Sequence, residues 1–134
     1  MAGETDLDTL LRTLGPVLHP EVLVWACVPA ATATPPGTFA RVEEGEGSTL
    51  VVERGAAAAH GLAGDAPSRR IELRVHSSLA AVGLTAAVSA ALAAEAISAN
   101  VVAAFHHDHV LVPAADAERA LAVLRALAAS PPTA

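Results

Sequence analysis

Three histidines and an aspartate stand together at His106-His107-Asp108-His109. Imidazole and carboxylate are side chains that hold metals or move protons near neutral pH. A metal site wants three or four convergent ligands. On an extended chain, His107 and His109 would share one face and His106 and Asp108 the other. Only a turn could gather them, so the segment reads as a polar hairpin with His107-Asp108 at its tip. Two alternatives stay open. One is a metal-dependent enzyme built on His106 to His109. The other is a small-molecule site that His106 or Asp108 lines beside Asn100.

A second group lies at His76-Ser77-Ser78-Leu79. There the alternation of Ile71, Leu73 and Val75 gives way to a four-residue spacing of Leu84, Val88 and Leu92. The first pattern predicts a strand with one buried face and the second a helix over 79–97. Ser77 and Ser78 are both good N-caps. A helix start offers free N–H groups and positive dipole, which suit a carboxylate or phosphate. Gly83 costs such a helix about 1 kcal/mol against Ala. Either packing or a close ligand would account for it.

Other chemistry is missing from the sequence. It has no Gly-rich phosphate loop, GxSxG elbow, HExxH or CxxC. Cys27 lies in an apolar run, reads as a buried structural residue, and is the only cysteine, which excludes an internal disulfide. Glu43, Glu44 and Glu46 read as a solvated hairpin tip. No segment assembles a nucleophile, a base and an orienting group, so the chain is expected not to be an enzyme and to need no cofactor.

The elements that would position these groups come from 134 residues, enough for one compact domain or two small modules sharing a core. At 53% hydrophobic and 2% aromatic, that core must be built from Ala, Val and Leu. All basic residues are Arg, and the net charge of −6 supplies no clustered basic surface for nucleic acid or an anionic membrane. The start, MAGETDLDTL, lacks the charged and apolar regions of a signal peptide. Leu79 to Ile97 is too Ala-rich for a membrane span. A soluble cytoplasmic protein is expected.

In order, Thr5–Leu14 reads as a helix capped by Thr5 or Asp6 and ended by Gly15-Pro16. Glu21–Val28 reads as a central strand covered on both sides. TFARVEE and STLVVER form a hairpin around Gly45-Glu46-Gly47. Ala56–Leu62 is a short helix, and Asp65-Ala66-Pro67-Ser68 a linker. Strands follow at Ile71–Val75, Ile97–Phe105 and Val110–Val112, then a helix from Asp116 to Leu127 closed by Ser130-Pro131-Pro132. The string is αβββα then βαββα. It predicts an α+β fold of two tandem ferredoxin-like modules, 1–68 and 69–134, sharing a sheet or packed side by side.

The stretch LRVHSSLAAVGLTAAVSAALAAEAISANVVAAFHHDHVLV resembles the ACT domain, a βαββαβ module that binds amino acids and related ligands. The opening GETDLDTLLRTLGPVLHPEVLVWACV resembles the first module of stand-alone bacterial tandem ACT proteins. AFHHDHVLVP is the most specific part. The resemblance implies a regulatory or sensor protein with a ligand loop at His76, Ser77, Ser78, Leu79, Val82 and Gly83. It also implies Asn100 in the next strand, as in aspartokinase regulatory domains and arginine sensors; Leu84, Phe105 and Asp108 complete the set. The partner would be a small molecule, an amino acid first of all, and a homodimer is compatible with it. The rival is a structural module without a ligand. Two departures stand out. Ala96 replaces the usual glycine before Ile-Ser, which predicts a helix ending differently or one turn later. The acidic loop residue that receives an ammonium is missing, leaving carbonyls or Asp108 for that role.

Overall fold

The computed structural model describes residue 3 and residues 5–131. The sequence readings that rest on residues 1, 2 and 4 and on Pro132 lie outside them. The order of elements is α1 (Leu7–Arg12), β1 (Pro16–Val28), β2 (Thr38–Glu44), β3 (Gly47–Glu53), α2 (Arg54–Ala59), β4 (Asp65–Leu73), α3 (Leu84–Ala94), β5 (Asn100–Ala103), β6 (Asp108–Pro113) and α4 (Ala117–Ala129). A 3-10 turn at Ala114–Asp116 precedes α4.

The strands form one antiparallel sheet in the order β2-β3-β1-β4-β6-β5. Read outward from the β1/β4 seam, each half repeats one pattern: first strand, hairpin's second strand, hairpin's first strand. The halves therefore share the sheet, and the fold is α+β with two ferredoxin-like modules.

β1 begins at Pro16, five residues before the expected start, and runs through Pro20. Proline lacks an N–H for the ladder and is tolerated at irregularities. The pairing with β4 shifts register between Leu18 and Val22, around that proline. Asp65–Ser68 is no linker: it is the first part of β4, and Ser68 pairs with both Leu23 and Pro113. The long β1 ladder overrides the turn-forming residues there.

One sheet face carries the helices. Ile71, Leu73, Val110 and Val112 pack with Leu10, Leu11 and Leu14 around α1, with Leu84, Val88 and Leu92 of α3, and with Leu121, Leu124 and Leu127 of α4. Asp6 caps α1 by accepting from the Thr9 amide at 3.0 Å. Beside this core, Val24, Leu50 and Val52 pack with Ala57 of α2. β1 is central as expected, yet only one of its faces is covered by helices. On the other, Leu23, Val51 and Leu111 are buried among Trp25, Phe39, Ala40 and Val102. Cys27, paired with Thr49 on that open side, is exposed rather than buried.

The end of α3 answers the Ala96 question. The Ile97 amide donates to Leu92 O at 3.0 Å and the Ala96 amide to Ala93 O at 2.9 Å, the paired bonds of a Schellman cap. Ala96 has φ +57°, so alanine takes the left-handed position and the helix ends where a glycine would end it. Ile97 and Leu92 are both buried, and Arg119 Nη1 donates to Glu95 O at 2.7 Å.

Candidate functional site

The loop after β4 is longer than expected and α3 correspondingly shorter. α3 starts at Leu84, with Gly83 in the N-cap position at φ +100° and no side chain capping the helix. Ser77 and Ser78 therefore cap nothing in α3. Ser78 Oγ instead accepts from the Ala80 amide at 3.1 Å, and the Ala81 amide donates to Ser78 O, folding the loop on itself. A side chain at Gly83 would both be strained and approach Leu7 Cδ2 to 3.1 Å. The left-handed backbone at this N-cap position accounts for the glycine.

A cavity of about 70 Å³ opens between this loop, the start of α3 and the end of the sheet. Ser77, Ser78, Leu79, Leu84 and Asp108 line it, together with Ala81, Thr85 and Ala103, which sequence reasoning missed. Asp108 is placed by its register: it pairs with Leu73 on β4 and Ala103 on β5, and facing residues share a side of the sheet. It is buried. Burial raises its pKa from the ordinary aspartate value, against the opposing pull of His107. A buried carboxylate thus meets the uncapped start of a helix, where up to four N–H groups lack intrahelical partners.

The remaining expected residues fall elsewhere. Asn100 faces Leu111 on the opposite side of the sheet. There it lines an apolar cleft of about 610 Å³ with Trp25, Val51, Val102 and Leu111. A one-residue change of parity separates it from the loop it was expected to face. Val82 is 85% exposed and Phe105 is 72% exposed, and neither lines the small cavity. Nor do His76 and Gly83.

The histidine run is split by its hairpin. The Ala104 amide donates to His107 O, so Phe105 and His106 form the tip, not His107-Asp108. The His76 ring lies 5.5 Å from that of His106 and 6.5 Å from that of His107, centroid to centroid. His109 sits on the open face, where Arg70 Nη1 donates to its Nδ1 at 3.0 Å and Phe39 meets it edge-on. Burial first, then the Arg70 charge, lowers its pKa. Among the described residues no three His, Cys, Asp or Glu side chains group as a metal would need. Arg70, stacked 5.1 Å from the Phe39 ring centroid, also borders a cavity of about 330 Å³ with Glu21 and Glu53. No motif pointed to that feature, since it is assembled from four strands.

Among the described residues no helix is long and apolar enough to cross a membrane. Comparison with known proteins matches two ACT-domain family models to the chain, over residues 2–69 and 65–126, meeting within β4. A protein of unknown function from Vibrio cholerae, described as a possible transport protein, shares 39% identity. The match covers 91% of this chain and 95% of that one, with a TM-score of 0.79. A protein from Agrobacterium tumefaciens matches at 18% identity, over 85% of this chain and 88% of its own, TM-score 0.66. The ligand-free regulatory subunit of aspartate kinase from Thermus thermophilus matches at 11% identity, over 86% and 97%, TM-score 0.54. The last two bear on the fold alone. No curated protein matches the chain.

Proposed function

This chain belongs to the ACT-domain family, with one module in each half, and on that premise we propose that it is a regulatory sensor whose second module binds an amino acid. The family supports a regulatory, small-ligand-binding role. The single observation that carries the finer reading is the pairing of buried Asp108 with the uncapped start of α3 across one small cavity. The two are complementary to the two charges of an α-amino acid. Asp108 would take the ammonium, supplying the anion that the 76–83 loop lacks, and the amide groups at the uncapped start of α3 would take the carboxylate.

The proposed site is Ser77, Ser78, Leu79, Leu84 and Asp108, with His76, Val82 and Gly83 adjoining in the loop. The cavity holds only a head group, so a side chain would project past exposed Leu79, where a second subunit could cover it. Ligand binding would then favour the associated state, as any ligand shifts the equilibrium toward the state it binds better. The division 1–68 and 69–134 belongs to this reading, as do the absence of a catalytic role and assembly as a homodimer.

The test is a thermal-shift screen of the natural amino acids. A ligand at 100 times its Kd adds about 2.7 kcal/mol, which for a chain of this size moves Tm on the order of 10 °C. If no amino acid shifts Tm, the reading is wrong.

A further inference from the structure

The two halves can be laid on each other by counting from their strand registers. Ser48 is flanked across the sheet by Val28 and Glu43. Asp108 is flanked in the same way by Leu73 and Ala103. Ser48 and Asp108 therefore hold matching positions, and both are buried polar residues. Counting onward from Val28 and Leu73, Thr32 matches Ser77 and Thr34 matches Leu79. Counting back along the paired strands, Arg41 opposite Leu50 matches Val101 opposite Val110.

The two loops lead into different elements. In the second half α3 crosses over Val101 and leaves the small cavity beside Asp108. In the first half no helix intervenes between β1 and β2, and the side chain of Arg41 reaches the matching place. Its Nη1 donates to Thr32 O and Thr34 Oγ1, both at 2.7 Å. Its Nη2 donates to Ala30 O and Ser48 Oγ, both at 3.0 Å. Its Nε donates to Glu43 Oε1 at 2.6 Å. A guanidinium has five N–H donors, and each has an acceptor here. The Arg41 side chain is only 20% exposed. Ser48 also donates to the second oxygen of Glu43. Glu43 is solvated, as its hairpin position suggested, with its side chain 61% exposed, yet both of its carboxylate oxygens accept, one from Arg41 and one from Ser48.

A surface ion pair has one or two such bonds and holds the cation loosely. Full saturation of a planar fork, partly by main-chain carbonyls, is how a dedicated guanidinium site is built. Four of its contributors, Thr32, Thr34, Glu43 and Ser48, match four residues that line the open cavity of the second half, Ser77, Leu79, Ala103 and Asp108.

We infer that the first module contains a guanidinium-binding site at the position of the second module's open cavity, kept filled by the chain's own Arg41. The first module is therefore closed to outside ligands at this position. Removing the Arg41 side chain exposes a site selective for alkylguanidinium cations. This does not depend on what the second module binds.

Arg41→Ala deletes the side chain beyond Cβ, and ethylguanidinium restores the missing atoms. Thermal unfolding is followed for the wild type and Arg41→Ala in millimolar ethylguanidinium chloride, with ethylammonium chloride at equal ionic strength as control. The variant is expected to lose several degrees of Tm and to regain at least half of the loss, saturably, with ethylguanidinium alone. Calorimetric titration of the variant is expected to give one site per chain and none for the wild type. Equal effects of the two cations, or an equal response of the wild type, would overturn the proposal. The intact chain gives a second measurement that does not need the variant to fold. Side-chain NMR of Arg41 is expected to show four separate Nη–H resonances from a locked guanidinium; a single averaged signal would also overturn it.

Discussion

Replacing Ala96 by glycine is expected to stabilise this protein, although most substitutions of a folded chain do the reverse. Ala96 sits at φ +57° immediately after α3, and a left-handed conformation costs a non-glycine residue about 1–2 kcal/mol. Glycine removes that cost but adds about 0.5–1 kcal/mol of unfolded-state entropy. The alanine methyl is exposed, so little packing is lost with it. The cap bonds from Ile97 to Leu92 and from Ala96 to Ala93 run through the main chain and survive the change. The balance is a gain of about 0–1.5 kcal/mol, or up to roughly 5 °C in Tm. Urea unfolding should show a higher midpoint with an unchanged slope, because the same surface is exposed on unfolding. Ala96→Val, β-branched in the same conformation, should move the midpoint the other way. A lower midpoint for Ala96→Gly would refute the strain assigned to this cap.

Asp108→Asn should separate stability from binding. Burial raises the Asp108 pKa, so between the unfolded and native values the native state holds more protons and stability falls as pH rises. The amide variant should lose that part of the pH profile, be at least as stable as the wild type at pH 7, and bind amino acid at least 10-fold more weakly. Glu72→Gln should do the opposite to stability. Burial pushes the Glu72 pKa up, but the His19 hydrogen bond and the Arg74 charge outweigh it and leave it lowered. Its contribution is therefore present above the unfolded carboxylate pKa and lost as pH falls through the native one, so the variant should be less stable at pH 7 and converge with the wild type in acid. Leu92→Ala, at a fully buried position of α3, should cost about 2–5 kcal/mol in chemical denaturation. A cost below 1 kcal/mol would contradict the placement of α3 on the sheet.

The order of all the larger elements is legible in the sequence, because each has a clear period or composition: Ile71-Leu73-Val75 alternates, and Leu84, Val88 and Leu92 repeat at four. Legibility ends where one signal masks another. Prolines 16 and 20 hide the first part of β1, which survives because the ladder shifts register around Pro20. Leu79–Val82, rich in Ala, reads as helix, while the positive φ of Gly83 makes it loop. The candidate site is legible as a loop, and Asp108 stands out as the one acid able to meet an ammonium. Asn100 is misplaced by sequence reasoning because face depends on register, and register is set by long-range pairing that no local pattern reveals. Arg41 carries no motif: apart from Glu43, two residues on in its own strand, its acceptors come from a loop 7 to 11 residues earlier and from the next strand.

The central claim is that an amino acid binds between Asp108 and the start of α3. Its most direct test is amide NMR of the labelled chain during titration with whichever amino acid raises Tm most. The account predicts saturable shifts concentrated at residues 77–85 and at Asp108, lost in Asp108→Asn. Shifts confined instead to the open sheet face around Trp25, Asn100 and Leu111, or no saturable shift with any amino acid, would contradict it.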